Sequence, residues 1–105
     1  MESILVTVDD RDHNRCAKVR GALDVFTSPS LPRRALEGLP DETNDLLLDL
    51  RGVSFVDSAG VSALVRLRQA ATSRTIEVRA HLGDAQTRFN STVVDLLRRV
   101  LPCDD

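Results

Sequence analysis

Tryptophan and tyrosine are absent from this chain and only three phenylalanines occur in its 105 residues. No series of aromatics interleaved with basic residues is therefore available to stack bases. The net charge of -2 and the pI near 5.6 leave no electrostatic footprint for nucleic acid either. No apolar run approaches the roughly 20 residues that span a bilayer, and the first residues carry no basic segment followed by an apolar one. A cytoplasmic protein with no membrane insertion is the expectation. Cysteine is scarce: Cys16 and Cys103 are far apart and lack metal-ligand spacing, so neither a metal site nor a structural disulfide is expected. Cys103 falls in a short tail, where an exposed and weakly constrained thiol is expected. The five glycines are scattered, and none belongs to a phosphate-cradling loop ending in Lys-Ser or Lys-Thr.

What the chain does have is one strongly organised stretch, Asp45-Leu46-Leu47-Leu48-Asp49-Leu50-Arg51-Gly52-Val53-Ser54-Phe55-Val56-Asp57-Ser58-Ala59-Gly60-Val61. Leu46, Leu47, Leu48 and Leu50 form a nearly continuous apolar run, the pattern of a central strand covered on both faces. After it the period becomes helical, with Val61, Leu64, Val65 and Leu67 on one stripe and Arg66 and Arg68 outside it. The change falls at Asp57-Ser58. The simplest role for Ser58 is to cap a helix over residues 58–71, followed by a polar turn.

The other segments assemble around this unit. Ile4, Val6 and Val8 alternate with Leu5 and Thr7 as a first strand, and residues 9–14 turn the chain into a second strand over residues 16–23. Thr27 is the expected cap of a helix over residues 27–39, with Pro29 in its first turn and Leu31, Ala35 and Leu39 on its buried stripe. Pro32 predicts a bent or delayed start, and Gly38 and Pro40 stop the helix. Ile76, Val78, Ala80 and Leu82 alternate as a fourth strand. Val93, Val94, Leu96, Leu97, Val100 and Leu101 recur at helical spacing behind a cap at Asn90 or Ser91. The sum is one α/β domain over residues 1–105: a mixed sheet with an N-terminal hairpin and helices packed on it.

Catalytic chemistry finds little support. Ser58 lies outside any glycine-serine-glycine elbow, and the two histidines, His13 and His81, read as solvated surface residues with no group nearby in sequence to orient them. Asp24, Asp49 and Asp57 could hold magnesium in principle, but three aspartates at strand ends are equally ordinary loop residues.

The stretch from Asp49 through Ser58 to Val61 resembles the signature of the STAS family, the sulfate transporter and anti-sigma factor antagonist domains. Upstream, Gly21-Ala22-Leu23-Asp24 followed by Thr27-Ser28-Pro29 and Leu31 is similar to that family's second motif. For stand-alone bacterial members the resemblance implies an anti-sigma factor antagonist, not an enzyme, with no catalytic residue, metal or cofactor. Its unphosphorylated form binds an anti-sigma factor that is itself a serine kinase, and so frees a sigma factor. The kinase phosphorylates the serine after the aspartate, here Ser58, and a serine phosphatase resets it. The implied partner-binding residues are Asp24, Thr27, Asp57, Ser58, Ala59, Gly60 and Val61. A different class of role is also compatible, that of a non-signalling accessory subunit of a transporter or lipid-transport complex. Only residues 83–105 follow the fourth strand, so either the family's third helix is reduced to a turn around residues 84–89 or its closing helix is missing.

Overall fold

The computed structural model describes residues 3–104. Strands β1 (Leu5–Arg11) and β2 (Asn14–Leu23) form the expected antiparallel hairpin. Its turn is tighter than the sequence suggested. Only Asp12 and His13 separate the strands, both with positive φ (49° and 69°), as in the two-residue primed turns that match strand twist.

Next come a 3-10 turn (Ser28–Ser30), α1 (Leu31–Leu36), β3 (Asp45–Val56) and α2 (Ser58–Ser73). Then follow β4 (Glu77–His81), a single turn α3 (Ala85–Arg88), α4 (Ser91–Val100) and a short β5 (Cys103–Asp104). The five strands lie in sequence order, and every pairing after the hairpin is parallel. The strand over Leu46, Leu48 and Leu50 is thus central, and the fold class is the expected mixed α/β sheet with helices on it.

Coverage of the sheet departs from the two-sided reading. Ala17, Val19, Leu46, Leu48, Leu50, Val78, Ala80 and Leu82 are all buried on one face, beneath a helical layer that buries Leu31, Ala35, Leu64, Leu67, Val94 and Leu97. On the other face the alternate positions are polar or partly exposed: Lys18 and Arg20 on β2, Leu47 on β3, Glu77 and Arg79 on β4. Leu47 is apolar without a helix against it. Among the described residues, all the long helices pack on a single face.

β3 also carries two bulges. Asp49 pairs with Lys18 but Gly52 with Arg20, and Val53 pairs with Gly21 but Phe55 with Ala22. Each shift gives β3 one residue more than β2, which carries burial from Leu50 to Val53 and then to Val56. Arg88 of α3 caps the disturbed ladder. Its guanidinium donates to the carbonyls of Leu50 (3.0 Å), Val53 and Leu82, and its Cζ lies over the Phe89 ring, 4.8 Å from the centroid.

Several boundaries are corrected. The first helix is only Leu31–Leu36, because Pro32 cannot donate in a helix interior and is tolerated at the second helical position. Thr27 makes no side-chain cap bond. α2 runs on to Ser73, so the polar turn begins later than residue 70. Of the two compositions left open for the C-terminal segment, the structure has the closing helix and the third helix reduced to one turn. Asn90 caps α4 by accepting from Val93 N–H at 2.9 Å. Cys103 is not in a loose tail. It pairs with Ala80 as part of β5, half-buried against the core, and its thiol donates to Leu101 O at 3.2 Å. Neither Cys16 nor Cys103 is in a disulfide, and the two lie on opposite faces of the sheet, Cys16 in register with Leu47 and Arg79 and Cys103 with the buried Ala80.

Candidate partner-binding face

The C-terminal ends of β2 and β3 bring the two sequence motifs side by side. Leu23 registers with Val56, and the N–H of Asp57 donates to the Leu23 carbonyl at 3.2 Å. Asp57 then stops the strand and starts the helix. Its backbone is extended (φ -108°, ψ -171°), and its carboxylate accepts from Gly60 N–H at 3.0 Å, satisfying one of the orphan donors of the first turn.

The cap is therefore Asp57 rather than Ser58. Ser58 occupies the first helical position, exposed, and its hydroxyl has no hydrogen-bond partner among the described residues. Ala59 and Val61 are half-buried beside it, and Gly60 is buried. Gly60 is where the helix meets the strand end: a Cβ there would stand 2.5 Å from the Leu23 carbonyl oxygen.

The loop after β2 is a closed hydrogen-bonded unit. Asp24 Oδ1 accepts from the N–H groups of Phe26 (2.9 Å) and Thr27 (3.0 Å), and Ser28 N–H donates to the Asp24 carbonyl at 2.9 Å. The buried Thr27 hydroxyl donates back to Ala22 O and accepts from Asp24 N–H. Thr27 is thus an internal brace of the loop, not a helix cap. The backbone N–H groups of Thr27 and Phe26 hold the Asp24 carboxyl below its ordinary range.

A family model for the STAS domain matches residues 5–80. The chain belongs to the STAS domain family. Two anti-sigma factor antagonists share its fold. One is SpoIIAA in its unphosphorylated form, at 11% identity with a TM-score of 0.67 over 96% of this chain and 88% of that one. The other is an antagonist from Mycobacterium paratuberculosis, at 27% identity with a TM-score of 0.68 over 95% of this chain and 84% of that one. The murine anion transporter Slc26a9 carries a similar fold in 14% of its length, at 22% identity and a TM-score of 0.68 over 86% of this chain. No curated protein matches the chain in sequence.

Other residues weighed from the sequence do not gather around this STAS face. Asp49 is buried on the face of the sheet opposite the helices, where Arg51 donates to it through Nε (3.0 Å) and a terminal nitrogen (2.8 Å) and pulls its carboxyl down. Asp24 and Asp57 do not join it, and no cluster of three metal-ligating residues forms among the described residues. His81 registers beside Asp49, whose oxygens are already engaged by Arg51. His13 sits in the hairpin turn with Nδ1 3.6 Å from Glu42. No helix among the described residues is long and apolar enough to cross a membrane.

One feature of the face went unread in the sequence. Val25 and Phe26, between the two loop-forming residues Asp24 and Thr27, are 59% and 80% exposed. The available signal was an apolar pair placed in a turn, off any strand or helix period.

Proposed function

We propose that this STAS domain is an anti-sigma factor antagonist switched by phosphorylation of Ser58. The observation that carries the reading is the placement of Ser58: exposed, its hydroxyl unbonded, at the first position of a helix that another residue already caps. Modification there disturbs no existing contact. Asp24, Thr27, Asp57, Ala59, Gly60 and Val61 shape the surface around it, and the likeness to two antagonists supports the choice of partner class.

The physical consequences of a phosphate at this point differ inside and outside the domain. Within it, the charge meets free N–H groups and the positive end of the dipole of a 16-residue helix, a favourable contribution of about 0.3–1 kcal/mol. Across an interface, each added charge facing a partner's acidic group at about 4 Å costs on the order of 4 kcal/mol at an effective dielectric of 20. That is roughly a thousandfold in affinity. The domain stays folded and lets go.

In this reading the partner is a cytoplasmic anti-sigma factor with serine kinase activity, and a serine phosphatase restores the binding form. The alternative, an accessory domain of a transport complex, draws on the likeness to a segment of the anion transporter. Calorimetry against the host's kinase-type anti-sigma factor separates the two. Unmodified protein and Ser58→Ala bind alike, Ser58→Glu binds more weakly, and the phosphorylated form is weakest because phosphate carries more charge and more oxygens. Equal affinity of unmodified and phosphorylated protein would refute the switch and leave the accessory role ahead.

A further inference from the structure

We propose that Phe26, with Val25 beside it, is an affinity anchor that seats in an apolar pocket of the same kinase-type anti-sigma factor whose docking Ser58 controls. The inference rests on the antagonist reading and adds to it a division of labour: Phe26 supplies attachment, Ser58 supplies the switch.

Exposure is the first ground. Phe89 is 9% exposed in the core, whereas Phe26 is 80% exposed on a loop, and Val25 beside it is 59% exposed. Preorganisation is the second. The backbone that displays the ring is fixed by two N–H bonds to Asp24 Oδ1, by Ser28 N–H on the Asp24 carbonyl, and by the Thr27 hydroxyl on Ala22 O. A partner that buries the ring need not order the loop, which removes a large cost of association. Position is the third. The loop begins one residue after Leu23, whose carbonyl accepts from Asp57 N–H at 3.2 Å, so it is fastened to the turn that carries Ser58.

The size of the patch makes it the centre of a wider contact. A phenylalanine buries about 150–250 Å². Any stable interface takes about 800 Å² from each side, so the rest must come from the surface continuous with this loop, and that surface is the turn carrying Ser58. One aromatic ring filling a pocket, surrounded by contacts of little individual weight, is how anchoring residues act in interfaces between unlike proteins. Residues 25 and 26 are uncharged, so charge added at Ser58 weakens docking without altering the anchor contact itself.

The test uses the purified chain and the host's purified kinase-type anti-sigma factor in calorimetry. Phe26→Ala weakens binding about tenfold or more, both in the wild-type background and beside Ser58→Glu, while its melting temperature matches wild type. Phe26→Leu recovers part of the loss. Leu5→Ala, which trims an apolar side chain 54% exposed on β1, binds as wild type. Wild-type affinity for Phe26→Ala, with Ser58→Glu still weakened, overturns the anchor and leaves the switch standing. Equal losses for Leu5→Ala and Phe26→Ala overturn it as well, as does sedimentation showing a dimer of the free chain that Phe26→Ala abolishes. If neither Phe26→Ala nor phosphorylation changes affinity, both readings fall.

Discussion

Gly60 packs so closely on Leu23 that an added Cβ would lie 2.5 Å from the Leu23 carbonyl oxygen and 2.9 Å from its Cβ. In a free helix, Gly→Ala is stabilising by about 1 kcal/mol. Here the backbone oxygen cannot move aside without breaking its bond to Asp57 N–H, so overpacking of about 1–3 kcal/mol outweighs that gain. Gly60→Ala is expected to lower stability in urea unfolding and to displace the turn that carries Ser58. A stabilised variant with unchanged partner binding would contradict the close packing.

Asp57 and Ser58, neighbours in sequence, are expected to respond differently to removal. Asp57→Ala loses the side-chain bond to Gly60 N–H and should cost about 0.5–2 kcal/mol. Ser58→Ala removes an exposed hydroxyl without a partner and should stay within about 0.5 kcal/mol of wild type. Thermal unfolding of the two variants decides which residue is the cap.

Arg15 is buried on β2 and ties the hairpin to α1. It donates to both carboxylate oxygens of Asp10 (2.7 and 2.9 Å) and to the carbonyls of Ala35 (3.1 Å) and Glu37 (2.7 Å). Its hydrogen bonds hold the Asp10 carboxyl below the ordinary range. The sign follows: a lowered folded-state value contributes stability above the ordinary carboxylate range, and that contribution is lost as pH falls through the folded-state value. Asp10→Asn should therefore be less stable than wild type at neutral pH, with the gap closing in acid. A gap that widens on acidification would contradict the assignment.

Arg88 is expected to matter for stability although it lies on a single helical turn. Arg88→Met keeps the apolar stem but leaves the carbonyls of Leu50, Val53 and Leu82 without their donor. A loss of about 1–3 kcal/mol in urea unfolding is the expected result. An unchanged midpoint would mean that water serves those carbonyls equally well.

The sequence was most legible where one pattern dominated. The nearly continuous run Leu46, Leu47, Leu48 and Leu50 identified the central strand, and the helical stripe through Val61, Leu64, Val65 and Leu67 identified α2. The bulges were invisible because Arg51, Gly52, Ser54 and Phe55 carry no pattern of their own; only pairing with β2 exposes the extra residues. The one-sided coverage had a signal, the charges at alternate positions Lys18, Arg20, Glu77 and Arg79, but the apolar Leu47 beside Leu46 and Leu48 masked it in β3. At the site, Asp57 and Ser58 are both good capping residues, and composition cannot tell which takes the extended backbone. Cys103 was misplaced because a strand of two residues is too short to show a period.

The strand order has a kinetic consequence. The hairpin closes over two residues, so β1 and β2 can meet by local motion alone, on a scale of about 1–10 μs. Every other pairing is parallel and must wait for a crossover to close, which makes nonlocal contacts the slow step of folding. Leu23 and Val56 meet only when the first of these crossovers has closed, so the turn bearing Ser58 does not exist in a chain that has formed its hairpin and nothing else. A kinase that reads this turn as a folded shape would therefore leave nascent chains unmarked.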